Sequence, residues 1–142
     1  MELAEIFKDE EQSARLRAEA EFGQREIQPF FEEDNAPSSV LEVGCGTGFL
    51  LSQLAEKYED ISFSGVEPIG SGFSQFEDAL NAIESRYTNI TFIHKRIEDV
   101  KSDEKYDLIY SINVFEHLDD WREAIDICLS MLNINGRLVI LC

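Results

Sequence analysis

Residues 41–50 read Leu-Glu-Val-Gly-Cys-Gly-Thr-Gly-Phe-Leu (LEVGCGTGFL), placing Gly44, Gly46 and Gly48 directly after a short apolar run. Glycine at that density lets the backbone turn sharply and approach a ligand closely. A nucleotide triphosphate asks for GxxxxGK[ST], but no lysine follows these glycines. A dinucleotide asks for GxGxxG; Gly44 and Gly46 fit, but Phe49 stands where the third glycine belongs. A bulky side chain there obstructs the close helix–strand packing that accompanies a pyrophosphate. A nucleoside without phosphates asks only for the turn and for something to hold the ribose. Glu67, in "GVEP" at the end of the next apolar run, supplies a carboxylate that can accept from two ribose hydroxyls.

Around this loop the pattern alternates. "SVLEV" (39–43), "ISFSGV" (61–66), "ITFIH" (90–94) and "YDLIYSI" (106–112) read as strands, and "RLVILC" (137–142) begins a fifth. Between them, helical spacing predicts helices over 47–58, 74–86 and 121–132. The last turns Ala124, Ile125, Cys128, Leu129 and Leu132 inward, with Trp121 as an anchor, and Asp119 or Asp120 can cap it. Asn135-Gly136 predicts a turn before the fifth strand. Strands alternating with helices imply a doubly wound α/β fold: a parallel sheet covered on both faces. In such sheets ligands bind beyond the C-terminal strand ends, where the strand order reverses, so the glycine loop should floor the site. Residues 1–36 form a separate N-terminal helical segment, broken near Pro29, whose apolar face is Leu3, Phe7, Ala14, Ala18 and Phe22. That segment either packs against the sheet or acts as a lid.

"LEVGCGTG", "GVEP", "IED", "YDLIYSINVFEHL" and "MLNINGRLVIL" occur in the order and spacing of class I S-adenosylmethionine-dependent methyltransferases, and the chain resembles their small-molecule-type group over residues 37–142. The resemblance implies a Rossmann-like sheet of strand order 3-2-1-4-5 and methyl transfer from S-adenosyl-L-methionine to a small-molecule acceptor. It also implies roles by position. Gly44, Cys45, Gly46 and Gly48 pass beneath the methionine part of the cofactor, and Glu42 helps hold its ammonium. Glu67 takes the ribose, Ile97 and Glu98 flank the adenine, and Asn113 and Val114 contact the reactive end. Arg96 stands where many members carry an aspartate, so Glu98 or Asp99 must serve the adenine instead. Ile134-Asn135-Gly136 replaces Pro-Gly-Gly. Complete members continue past strand five with a helix and two more strands. The chain is therefore expected to be truncated there, leaving Leu138, Val139, Ile140 and Leu141 on an apolar edge open to self-association.

A base is needed only if the acceptor must lose a proton. His117, following the fourth strand, is the candidate, histidine being the side chain most often used to move protons near neutral pH. Glu116 could bind a substrate amine, and Phe73 and Phe76 could approach the substrate. The competing function is a catalytically incomplete cofactor-binding or interaction module; a nicotinamide oxidoreductase is a third.

Composition narrows the partners. The 142 residues carry 12 basic and 29 acidic side chains, a formal charge of −17. Such a charge opposes nucleic-acid backbones and anionic membranes. An acidic beginning and no apolar run of about 20 residues lead us to expect a cytoplasmic chain. Cys45, Cys128 and Cys142 form no CxxC pair, and the two histidines, His94 and His117, have no HExxH spacing, so no metal is expected.

Overall fold

The computed structural model describes residues 7, 9–32, 34, 36–70 and 76–142. Its elements run α1 (Glu10–Ile27), β1 (Ser39–Val43), α2 (Phe49–Lys57), β2 (Ser62–Val66), α3 (Glu77–Arg86), β3 (Ile90–Ile93), β4 (Tyr106–Ile112), α4 (Trp121–Ser130) and β5 (Leu132–Leu141). Single 3-10 turns occupy Gln28–Phe30, Ile97–Asp99 and Phe115–His117. The five strands form one parallel sheet in the order β3-β2-β1-β4-β5, as the alternation and the resemblance imply. The reversal falls between β1 and β4, so the loop after β1 lies at the switch point.

Alternating side chains divide the core into two layers. Val40, Phe63, Leu108 and Tyr110 meet α1, α2 and α3 on one face, with Leu51, Leu54, Leu80 and Ile83 packed over them. Leu41, Val43, Val66 and Ile109 meet α4 on the other, through Ala124 and Cys128. Helix ends follow local chemistry. The Asp9 carboxylate accepts from the Glu11 and Gln12 amides at 2.9 and 3.4 Å. Asp120 caps α4 by accepting from the Glu123 amide at 3.1 Å. Beyond α2, the Asn89 amide donates to the carbonyls of Ala55, Tyr58 and Ile61, satisfying groups that the ended helix leaves open.

Three readings need correction. First, Phe7, ahead of α1, packs against the core as expected, but α1 leaves Ala14, Ala18 and Phe22 exposed and buries Ser13, Ala20, Gly23 and Ile27. Close approach is part of the reason: a Cβ on Gly23 would lie 2.8 Å from Leu50 Cδ2 and 3.0 Å from Ile112 Cδ1, so a larger residue there would make those side chains shift. Second, β5 starts at Leu132, and Asn135-Gly136 lies inside it. Register steps from Tyr106 opposite Leu132 to Leu108 opposite Arg137, so residues 133–136 bulge from the ladder. Asn135 takes the left-handed conformation there, at φ +67°. Third, Leu129 and Trp121 are 52 % and 42 % exposed rather than buried, and Arg122 lies over the Trp121 ring. Leu3, Phe73 and the expected start of the third helix at Ser74 lie outside the described residues.

The N-terminal segment reaches across the sheet to β5. Val139 packs against the layer that contains Ala20 and Ile27, and Arg137 lies 5.9 Å over the Phe30 ring. No helix among the described residues is long and apolar enough to cross a membrane.

Candidate functional site

β1 delivers the chain to a loop that crosses the end of β2. The amides of Gly44 and Cys45 both donate to the Val66 carbonyl, at 2.7 and 3.1 Å. Gly44, Gly46 and Gly48 all have positive φ, at +74°, +56° and +78°. Their reasons differ. A Cβ on Gly44 would stand 2.4 Å from Val114 Cγ2, and one on Gly48 would stand 2.9 Å from the Phe92 ring. A Cβ on Gly46 would meet nothing within 4 Å. Gly44 and Gly48 therefore permit packing, and Gly46 presents bare backbone to open space.

Three carboxylates surround this loop, each in a different state. Glu67 follows β2 and accepts from the Gly46 amide through Oε1 at 2.8 Å, which ties the loop to the end of the neighbouring strand. Partial burial raises its pKa, against the lowering effect of that amide. Glu42, near the end of β1, is buried and accepts from the Tyr110 hydroxyl at 2.8 Å. Burial pushes its carboxyl up to about 8; the Tyr110 hydroxyl works against this, and the charge of Glu67 adds to it. Glu98 stands on the 3-10 turn after β3, with a buried Oε1 that has no hydrogen-bond partner among the described residues. A buried acceptor without a donor is costly, which makes Glu98 Oε1 a candidate to accept from a ligand. Asp99, beside it, is exposed and bound to the Arg96 guanidinium at 2.9 Å, so of the two acids only Glu98 has an open buried acceptor.

Two cavities meet at this floor and share Gly44, Asn113 and Val114. One, of about 360 Å³, is lined by Glu67, Ile97, Glu98 and His117. The other, of about 530 Å³, runs from Glu42 and Gly46 to the underside of α1. Val114 separates them, its side chain filling the space that Gly44 leaves. Asn113 turns the chain out of β4 in the left-handed conformation, at φ +56°, and its amide donates to the Leu141 carbonyl at 2.7 Å.

The structure thus brings together Glu42, Gly44, Gly46, Glu67, Ile97, Glu98, Asn113 and Val114. Gly48 supports them from below. Cys45 turns its thiol away into the core, where a Cβ on Gly65 would come within 2.7 Å of Sγ. Burial, with the charges of Glu42 and Glu67, holds that thiol well above its ordinary pKa, so it stays protonated and unreactive. His117 is 78 % exposed at the rim of the smaller cavity, with Nε2 3.8 Å from Glu116 Oε1. Two contributors escaped the sequence reading. Tyr110 directly faces Glu42 across the β1–β4 ladder, a pairing that strand register alone would have exposed. Arg15, Leu16 and Phe22 of α1 line the larger cavity. Among the described residues no group of three or more His, Cys, Asp or Glu side chains could hold a metal.

Comparison with known proteins identifies the family and the fold. A family described as a methyltransferase domain matches residues 13–141. A malonyl-[acyl-carrier protein] O-methyltransferase of Bacillus cereus is 27 % identical over 106 residues, 75 % of this chain and 38 % of that protein. A ubiquinone biosynthesis O-methyltransferase of Rickettsia conorii is 26 % identical over 126 residues, 89 % of this chain and 40 % of its own length. The chain thus spans about two fifths of these curated relatives. Among solved structures, the N-methyltransferase NodS of Bradyrhizobium japonicum, in complex with S-adenosyl-L-homocysteine, superposes with a TM-score of 0.70 at 22 % identity. That superposition covers 84 % of this chain and 60 % of NodS. A coclaurine N-methyltransferase bound to N-methylheliamine and S-adenosylhomocysteine gives a TM-score of 0.67 at 23 % identity, over 86 % of this chain and 34 % of the other. With the glycine loop, the acid after β2 and the strand order all in place, and with the family match running through nearly the whole sequence, the chain belongs to the methyltransferase domain family.

Proposed function

We propose that this chain binds S-adenosylmethionine across the two cavities and transfers its methyl group to a small-molecule acceptor. The observation that carries the reading is the hydrogen bond from the Gly46 amide to Glu67 Oε1 at 2.8 Å. It joins the open glycine and the ribose-type acid into one floor, and among the described residues nothing comparable is built for phosphate. Among the described residues the arginines lining the two cavities are Arg15 and Arg96, and each faces a carboxylate, Glu19 at 3.9 Å and Asp99 at 2.9 Å. A pyrophosphate would have to displace one of them, which disfavours a nicotinamide dinucleotide.

Bound S-adenosylmethionine would supply a methyl group already activated by a sulfonium. The chain's own work is binding and positioning. Glu67 commits Oε1 to the loop and offers Oε2 to the ribose hydroxyls. Ile97 flanks the adenine, and the unpartnered Glu98 Oε1 accepts from its amino group. The Gly44–Gly46 backbone runs beneath the methionine portion, and Glu42 opposes its ammonium. Asn113 and Val114 bear on the reactive end, where the two cavities join. A neutral amine acceptor needs no base before attack. For an oxygen acceptor, His117 is the rim residue proposed to take the proton. A small acceptor is supported by the larger cavity, whose 530 Å³ falls within the usual range of small-molecule sites. It is supported also by the small molecule held in the coclaurine enzyme.

Methyl-tritiated S-adenosylmethionine offered with a panel of amine and hydroxyl acceptors tests this function. Label should pass to at least one acceptor and fall sharply in Glu67→Ala. A folded chain that neither binds nor consumes the label would overturn it.

A further inference from the structure

Among the described residues Tyr110 is the largest side chain that is fully buried. It packs in the layer of Val40, Phe63 and Leu108, where a phenylalanine would fill the same space. Its hydroxyl is therefore the part that packing does not ask for. A phenol in a core needs a polar partner. Here the partner is Glu42, directly opposite in the β1–β4 ladder and 2.8 Å away through Oε2.

Glu42 is only 6 % exposed, and it lines the larger cavity. With Oε2 held by the hydroxyl, Oε1 is the oxygen left for a group inside that cavity. The hydroxyl can donate to either form of the carboxyl, but a donor to an ionised oxygen makes the stronger bond. Tyr110 thus favours the carboxylate, which burial opposes. The neighbouring groups do not help it. Glu67, after β2, carries like charge, and the Cys45 thiol of the glycine loop stays protonated. Across the cavity, Arg15 of α1 lies 3.9 Å from Glu19. Burial prevails in the free chain, where the Glu42 carboxyl stands at about 8. Near neutral pH an arriving ammonium therefore meets a protonated Glu42, and its proton must leave to the solvent.

We propose that Tyr110 is a positioning residue for the cofactor: through Oε2 it turns Glu42 Oε1 toward the methionine ammonium and eases the loss of the Glu42 proton that binding requires. The inference rests on the methyltransferase reading. Titration calorimetry from about pH 6.5 to about pH 8.5 tests it with two ligands, S-adenosylhomocysteine and 5′-methylthioadenosine, which lacks the amino-acid end. At the lower pH wild type should release about one proton on binding S-adenosylhomocysteine, seen as heat that varies with the ionisation enthalpy of the buffer. Tyr110→Phe should bind it about tenfold more weakly there. By the upper pH that deficit should shrink about threefold, because wild-type Glu42 has already ionised and the variant's is following. A hydroxyl that merely supported the fold would give a deficit independent of pH. Glu42→Gln should release no proton, and adding Tyr110→Phe to it should cost no more than about twofold. 5′-Methylthioadenosine should bind all these chains alike. Should Tyr110→Phe fail to fold, wild type still decides. With its four tyrosines labelled at Cζ, one NMR resonance should follow the Glu42 titration and stop doing so in Glu42→Gln. A deficit that ignores pH, a full Tyr110→Phe effect in the Glu42→Gln background, or no tyrosine that follows Glu42 overturns the inference alone. A wild-type chain that binds neither ligand removes the methyltransferase reading and the inference with it.

Discussion

Replacing Glu42 with Gln should stabilise the fold and weaken the site. In the folded chain burial holds the Glu42 carboxyl at about 8, against an ordinary value of 4.5. Between those values the folded state keeps a proton that the unfolded state has lost, so unfolding releases it. Stability therefore falls as pH rises through this window, by about 1.4 kcal/mol per pH unit, and levels off above the folded value. From about pH 5.5 to about pH 7.5 the loss from Glu42 alone is on the order of 2–3 kcal/mol. Gln has the same shape, can still accept from the Tyr110 hydroxyl, and does not titrate. The advantage of Glu42→Gln over wild type should grow by that amount across the same interval. Asp99 and Asp107, both lowered, titrate in both proteins and cancel in the difference; Glu67, whose charge bears on Glu42, is removed from the comparison by repeating it in a Glu67→Gln background. Urea unfolding followed by Trp121 fluorescence at three pH values reads the difference directly. The same variant should bind S-adenosylhomocysteine less tightly, because an amide cannot offset the ammonium. Wild-type affinity should rise with pH toward 8 as Glu42 ionises. Parallel stability curves for the two proteins would refute the reasoning by showing that Glu42 carries no extra proton in the folded chain.

Glu67→Ala should cost roughly 1.5–3 kcal/mol of cofactor affinity, the range for hydrogen bonds to a charged group, as measured by calorimetry. Gly46→Val should abolish cofactor binding, because the new side chain enters the ligand's path; its φ of +56° also strains a β-branched residue, so the urea midpoint should fall while circular dichroism still reports a folded chain in the absence of denaturant. Gly44→Ala should instead lower stability, by about 2 kcal/mol or more, because it combines positive φ with a 2.4 Å approach to Val114. Adding Val114→Ala should recover the steric part of that loss, read as a rise in the urea midpoint.

The parts of this molecule that were legible in its sequence are those set by local chemistry. Alternating strand and helix periods implied the doubly wound sheet, and the glycine triplet with Glu67 marked the loop at the switch point that we propose as the ligand floor. Where close packing decides, the pattern misled. Hydrophobicity pointed to Phe22 as the buried face of α1, yet Ser13 and Gly23 face inward, and at Gly23 the helix lies close against Leu50 of α2 and Ile112 of β4. Asn135-Gly136 has turn chemistry, but that chemistry serves a bulge within β5, a distinction that depends on the register with β4. Tyr110 looked like an ordinary strand residue until β1 placed Glu42 opposite it. The open acceptor on Glu98 is invisible to sequence, because it depends on which neighbours fail to reach it.

The central claim is that this floor holds an adenosine without phosphates. Isothermal titration of the chain with S-adenosylhomocysteine and, separately, with NAD tests it most directly. The account predicts one saturable site for S-adenosylhomocysteine, weakened in Glu67→Ala, and NAD binding at least about tenfold weaker. Tight binding of NAD with none of S-adenosylhomocysteine would contradict it.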